Sequence, residues 1–146
     1  MRLAITLLAA IGMAASSAAL YEHYNLGTAP CNINDRWDCG AVNHSPYADV
    51  RGVPVALIGV AGYAAIGLLA WTGPAPLLLL VSGVALGFAL ELTALEASVL
   101  RVWCLYCVAS QADIALIAAL SFVQAMRKRR RSPEQPAASA HSDVLK

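Results

Sequence analysis

Charged residues are scarce in this chain of 146 residues. Asp, Glu, Lys and Arg make up 13% of it, against about 25% in soluble domains, whereas 59% of the residues are hydrophobic. This balance argues against an ordinary soluble domain and indicates lipid as the solvent. The sequence also lacks a phosphate-binding loop, a Ser–His–Asp arrangement and a nucleic-acid-binding face, which removes three large functional classes from consideration.

Long apolar segments take up most of the chain. They cover residues 3–20, 52–71, 75–100 and 103–126, each near the roughly 20 residues that a helix needs to cross a bilayer. We therefore predict an all-α integral membrane protein with a bundle of four transmembrane helices. Residues 1–126 form the membrane domain, with a long outer loop over residues 21–51, and residues 127–146 form a basic, disordered tail. A cleaved signal peptide is an open alternative for the first segment.

Basic residues predict the orientation of these helices. A run of five, from Arg127 to Arg131, follows the fourth segment directly, and such runs stay in the cytoplasm. Four crossings then place both termini in the cytoplasm. The long loop and the turn at Arg101 face the opposite side, which is the periplasm if the chain resides in a bacterial inner membrane.

Only four cysteines are present, and all of them lie on the predicted outer side. Cys31 and Cys39 are in the long loop, and Cys104 and Cys107 are at the start of the fourth helix. The outer side is oxidising, so disulfide chemistry is expected there. Residues i and i+3 share a helix face, and a helix N-terminus favours a thiolate. We expect Cys104 to face the aqueous loop and Cys107 to face the membrane.

Two such pairs in series could carry electrons from a soluble thiol to a quinone in the bilayer. Three other interpretations compete with this one. The cysteines could form two structural disulfides, a single bridge could tie the loop to the helix, or all four could bind zinc. The spacing of Cys31 and Cys39 is unlike a zinc knuckle, and we predict no metal site. Haem attachment is excluded because Val108, not histidine, follows Cys107.

Further motifs accompany the cysteines. They are Ser45-Pro46-Tyr47-Ala48 after the loop pair, Gly52-Val53-Pro54 before the second helix, and Trp103-Cys104-Leu105-Tyr106-Cys107. With this spacing the chain resembles the vitamin K epoxide reductase family over about residues 1–126. The resemblance implies a membrane thiol–quinone oxidoreductase with four helices around a quinone. Many bacterial members carry a fused thioredoxin-like domain. This sequence shows none, so the resemblance implies a separate periplasmic thioredoxin-like protein as electron donor.

The resemblance also implies an order of electron transfer. Cys31 exchanges with the partner's dithiol, and Cys39 then forms a transient disulfide with Cys104. Cys104 passes the electrons on within its pair with Cys107. Cys107 reduces the quinone, either ubiquinone or menaquinone, through a covalent or charge-transfer adduct.

Two more residues are assigned to the quinone by the resemblance. Ser45 would hydrogen-bond a quinone oxygen, although it could equally be a turn residue before Pro46. Gln111 stands where some relatives have tyrosine, and its amide could donate a hydrogen bond in the same way. A related alternative is a reductase of quinone or quinone epoxide whose useful product is the quinol.

Three acidic residues fall within predicted membrane spans, where charge is costly. They are Glu91, Glu96 and Asp113. The residues alone leave two roles open for Glu96, which are contact with the membrane interface and transfer of protons to the reduced quinone.

Overall fold

The computed structural model describes residues 1–25 and 31–131. Its elements in chain order are α1 (Arg2–Tyr24), α2 (Cys39–Asn43), β1 (Asp49–Val50), β2 (Val53–Pro54), α3 (Val55–Thr72), α4 (Ala75–Leu95), a π-helical turn (Glu96–Leu100) and α5 (Leu105–Arg131). Four of the helical segments are long and apolar enough to cross a membrane: α1, α3, α4 with its π-helical turn, and α5. The prediction of a helical protein with four such segments is confirmed. The two-stranded hairpin was not predicted.

The helix boundaries differ from the predicted ones mainly at polar ends. α1 continues to Tyr24, four residues beyond the predicted end, and α3 begins only at Val55. α5 continues through the basic run to Arg131, where a disordered tail was predicted. Lys and Arg are good helix formers, and their charge is favourable at a helix C-terminus, so the helix outlasts its apolar stretch. The rest of the predicted tail lies outside the described residues.

The bundle packs α1 against α3 and α5, and α4 against α5. Its buried core comprises Ile5, Ala9, Tyr63, Ile66, Ala70, Leu78, Ile114 and Ile117. Gly12 allows the closest approach, because a Cβ there would overlap the Tyr63 ring and lie 2.5 Å from the Asp113 carboxylate. Small residues at helix contacts are typical of membrane bundles. Large apolar side chains elsewhere face outward, as a lipid-facing surface requires.

A tight hairpin leads from the loop into α3. Arg51 and Gly52 form its two-residue turn with φ values of 54° and 81°, the left-handed conformation that joins twisted strands well. The amide of Val55 donates to the carbonyl of Ala48 at 2.8 Å. The hairpin therefore holds the end of the loop over the first turn of α3.

Both ends of the bundle can be recognised from the contacts of its termini. The guanidinium of Arg127 lies 3.7 Å from the sulfur of Met1, so the start of α1 and the end of α5 share one end of the bundle. All four cysteines belong to segments at the other end, because the short connection before α5 and the loop after α1 meet there. This arrangement agrees with an even number of crossings.

Candidate active site

The two loop cysteines form a disulfide. Cys31 and Cys39 are bonded with their Cα atoms 5.8 Å apart, and both residues are buried. Cys39 is the first residue of α2. Asp38 caps this short helix, since its carboxylate accepts a hydrogen bond from the Ala41 amide at 2.9 Å. The cap fixes where α2 begins and therefore where the Cys39 sulfur lies.

A backbone connection fastens this loop to the segment before α5. The Trp103 amide donates to the Arg36 carbonyl at 2.9 Å, and the Asp38 amide donates to the Trp103 carbonyl at 3.1 Å. The centroids of the Trp37 and Trp103 rings lie 6.5 Å apart. We call this contact the tryptophan bridge. Cysteines follow directly on both sides of it, so the bridge brings the two pairs together.

Cys104 is fully buried with the loop disulfide in one apolar cluster. Cys104 was expected to face the aqueous loop. It does contact the loop, but it is shielded from water because the bridge lays the loop over it. Both helix cysteines are free thiols, and the Cys107 amide lies 3.4 Å from the Cys104 sulfur. A hydrogen bond from the Cys107 thiol, aided by backbone amides, holds the pKa of Cys104 below its usual value despite burial. The Cys104 thiol therefore gives up its proton more readily than an ordinary cysteine thiol does.

Glu96 lies beside this dithiol. Its side chain is only 3% exposed. The carboxylate accepts a hydrogen bond from the Cys104 amide at 3.3 Å and lies within hydrogen-bonding reach of the Cys107 thiol. Glu96 begins the π-helical turn that ends α4, and the chain then reverses at Arg101, whose φ of 54° is left-handed. π-Helical turns are frequent at functional sites.

A cavity of about 410 Å³ opens within the bundle next to Cys107. Most of its lining is apolar and comes from α1, α3, α4 and α5. The residues with polar side-chain groups that line it, besides Cys107, are Ser16, His23, Asn43, Ser45, Tyr47, Tyr63, Thr93, Glu96, Tyr106, Ser110 and Gln111. A volume of this size and an apolar lining with a few polar groups are typical of a site for a small organic ligand.

Ser45 and Gln111 both line this cavity, as their predicted roles require. The hydroxyl of Ser45 donates to the Val42 carbonyl at 2.8 Å, which is the turn role that the sequence left open. The Gln111 carbonyl lies 3.4 Å from the Thr93 hydroxyl, so its amide nitrogen remains available. In this arrangement Ser45 would have to rotate before it could donate to a ligand.

Asn43 was missed by the sequence analysis. It is 7% exposed, and its side-chain nitrogen is one of the buried polar atoms of the described chain that have no hydrogen-bond partner. His23 holds the residue in place through a 2.7 Å bond to its backbone carbonyl. The sequence does hold a signal that could have found Asn43: it lies four residues after Cys39, which puts both residues on one face of a helix.

The three acidic residues in the spans have different surroundings. Glu96 is at the dithiol, Glu91 is exposed on the outside of the bundle, and Asp113 is buried against Tyr63 without lining the cavity. Within the described residues no group of three or more His, Cys, Asp or Glu side chains is arranged to hold a metal ion.

A sequence model of the vitamin K epoxide reductase family matches residues 3–122. The chain belongs to this family. Its members are oxidoreductases associated with membranes and quinone substrates. No curated protein matches the chain. The family match covers both cysteine pairs, the cavity-lining residues and Glu96, so the whole candidate site lies in the part of the chain that the family shares.

Proposed function

We propose that this protein is a membrane thiol–quinone oxidoreductase that supports disulfide formation. It takes electrons from a soluble thioredoxin-like protein and passes them through two cysteine pairs to a quinone. One observation carries this proposal: the loop disulfide and Cys104 share a buried cluster, while Cys107, one helical turn further, lines the cavity. A protein with purely structural disulfides has no need of a free dithiol between a disulfide and an apolar cavity.

The redox state of the cysteines corresponds to one stage of this cycle. The loop pair is a disulfide and the helix pair is a dithiol, so two electrons reside next to the cavity. In the preceding stage a Cys39 thiolate attacks the Cys104 sulfur of the helix disulfide and releases Cys107. Closing the loop disulfide through Cys31 then leaves both helix cysteines reduced. Transfer of two electrons and two protons to the quinone regenerates the helix disulfide and yields quinol.

The size and the apolar lining of the cavity support a quinone as the substrate. Its apolar walls suit the ring and the first part of an isoprenoid tail, and ubiquinone and menaquinone both meet these requirements. A quinone carries ketone oxygens that accept hydrogen bonds. Asn43 offers a buried donor without a partner, and Gln111 offers a second amide nitrogen. We therefore assign these two residues as hydrogen-bond donors to the ketone oxygens. Ser45 could also donate, but only after its hydroxyl has rotated away from the Val42 carbonyl.

The same geometry supports the orientation that we propose. The basic run at the end of α5 lies with the N-terminus at one end of the bundle, and the cysteine pairs lie at the other. Basic segments stay cytoplasmic, so we place both termini in the cytoplasm and the cysteines on the periplasmic side of a bacterial inner membrane. A soluble partner would then meet Cys31 from the periplasm.

The test uses purified protein, short-chain ubiquinone and menaquinone analogues, and a reduced soluble thioredoxin-like protein as donor. Quinone absorbance should fall with wild type and stay constant with Cys107→Ala. Exposed Ser98→Ala, on the π-helical turn, is the matched control and should retain full activity. Constant absorbance with wild type and every quinone, from a folded protein, would favour the structural interpretation. Turnover of a quinone epoxide alone would favour the epoxide reductase.

A further inference from the structure

We infer that Glu96 is a catalytic residue that accepts the proton of the Cys107 thiol and delivers it to the quinone. This inference rests on the proposed function and deepens it, because it assigns a proton carrier to the step between dithiol and quinone. No cysteine motif identifies such a residue. It is indicated by the position of one buried carboxylate.

The contacts of Glu96 place it at the reacting sulfurs. One carboxylate oxygen is 3.3 Å from the Cys104 amide, and the Cys107 thiol lies within hydrogen-bonding reach of the same carboxylate. Glu96 also lines the cavity beside Cys107. A single side chain therefore contacts both the proton donor and the space that a quinone would occupy, which is the geometry that a general acid–base residue needs.

The cost of burying this group supports a functional role. A carboxyl group in a membrane span is unfavourable, and those that occur mark functional sites or paired charges. No salt bridge joins Glu96 to a cation among the residues that the structure describes. Its polar contacts are instead with the two cysteines, so the residue has no structural ion pair to account for its burial.

The reaction balances with Glu96 as carrier. The two thiols lose two electrons and two protons as the Cys104–Cys107 bond forms, and the quinone gains both as it becomes quinol. The Cys107 proton moves to the Glu96 carboxylate and from there to one ketone oxygen. The Cys104 proton supplies the second hydroxyl of the quinol. Glu96 ends the cycle as it began, and no further reductant or oxidant is needed.

A structural role makes a different prediction. If the only role of Glu96 is to accept a hydrogen bond from the Cys104 amide, glutamine can replace it, because the side-chain carbonyl of glutamine accepts the same hydrogen bond. Glutamine cannot accept and release a proton in this way, so Glu96→Gln separates the two roles. Glu91→Gln is the matched control, since Glu91 lies five residues earlier on α4 and is exposed.

The experiment measures single-turnover reduction of a ubiquinone analogue by the pre-reduced full-length protein in detergent. We expect Glu96→Gln to lower the rate at saturating quinone by about a hundredfold, at the low end of general acid–base effects, and to leave the quinone concentration at half-maximal rate unchanged. Glu91→Gln should stay within about twofold of wild type. Glu96→Asp keeps a carboxyl group but has a shorter side chain, so its rate should lie between those of Glu96→Gln and Glu91→Gln.

The outcomes separate this inference from the proposed function. If wild type reduces no quinone, the proposed function fails, and the inference fails with it. If wild type is active and Glu96→Gln is equally fast, Glu96 is a structural residue and only the inference is overturned. Intact thiols in each variant are confirmed by alkylation and mass spectrometry. If Glu96→Gln does not fold, Glu96→Asp decides: a wild-type rate overturns the inference, and a slower rate at unchanged half-saturation supports it.

Discussion

Asn43 is expected to favour quinone binding at the expense of stability in the ligand-free protein. Its side-chain nitrogen is buried without a hydrogen-bond partner, while the residue lines the cavity. Leucine has a similar size and no polar atoms. Asn43→Leu should therefore stabilise the ligand-free protein and weaken quinone binding at the same time, which is a combination that ordinary damage to a core does not produce.

The magnitudes follow from the cost of an unpaired polar group. A buried donor without a partner costs about 1–3 kcal/mol, so removing it should raise the free energy of unfolding by about 1 kcal/mol after losses elsewhere. A hydrogen bond to a ketone contributes about 0.5–1.5 kcal/mol, which corresponds to a roughly 2- to 12-fold weaker affinity for quinone. The two effects have opposite signs and comparable size.

Thermal unfolding in detergent measures the first effect, and the quinone concentration at half-maximal rate measures the second. Ser45→Ala is the comparison, because its hydroxyl also lines the cavity but already donates to the Val42 carbonyl. That variant should change quinone affinity by less than about twofold. The reasoning is refuted if Asn43→Leu lowers the unfolding temperature and leaves affinity unchanged, or if Ser45→Ala weakens quinone binding more than Asn43→Leu does.

Three further predictions concern other parts of the bundle. In Cys107→Ala, a mixed disulfide between Cys39 and Cys104 should accumulate and be visible by mass spectrometry without reductant; its absence would contradict the order of transfer. In the reduced form of the same variant the pKa of Cys104 should be higher than in wild type, because the hydrogen bond from Cys107 is lost, and a titration of thiolate ultraviolet absorbance measures this. Gly12→Ala should destabilise the protein by about 1–3 kcal/mol through overpacking. Gly83→Ala should not destabilise it in this way, because no atom lies within 4 Å of the added carbon. Equal unfolding temperatures for the two variants would contradict the close packing of α1.

The helices could be predicted because hydropathy and length alone decide whether a segment can cross a bilayer. The ends of the helices could not, because polar residues such as Glu22 and Arg130 continue a helix without an apolar signal. The hairpin at Gly52 was also missed. It has only two residues in each strand and depends on two left-handed residues, of which Arg51 carries no sequence signal for that conformation.

The sequence predicted only the part of the candidate site that cysteine spacing indicates. The loop pair and the helix pair could be located, but the burial of Cys104 could not, because it depends on contact between Trp37 and Trp103, which are distant in the chain. The same holds for Asn43, whose missing partner becomes visible only once the loop is folded over the cavity. Glu96 could be singled out as an acidic residue in a span, but its contact with both helix cysteines required the π-helical turn.

The tryptophan bridge has a consequence for how this loop can change. It fixes the register between the two segments that lead to Cys39 and Cys104. Each of these cysteines directly follows a residue that is hydrogen-bonded across the bridge, Asp38 or Trp103. Substitutions on the loop surface leave that register intact, so the surface that the proposed soluble donor would meet is free to vary. A single-residue insertion between Trp37 and Cys39 would instead shift one sulfur relative to the other. The loop surface can thus change by substitution, but the loop cannot tolerate a change of length at this point.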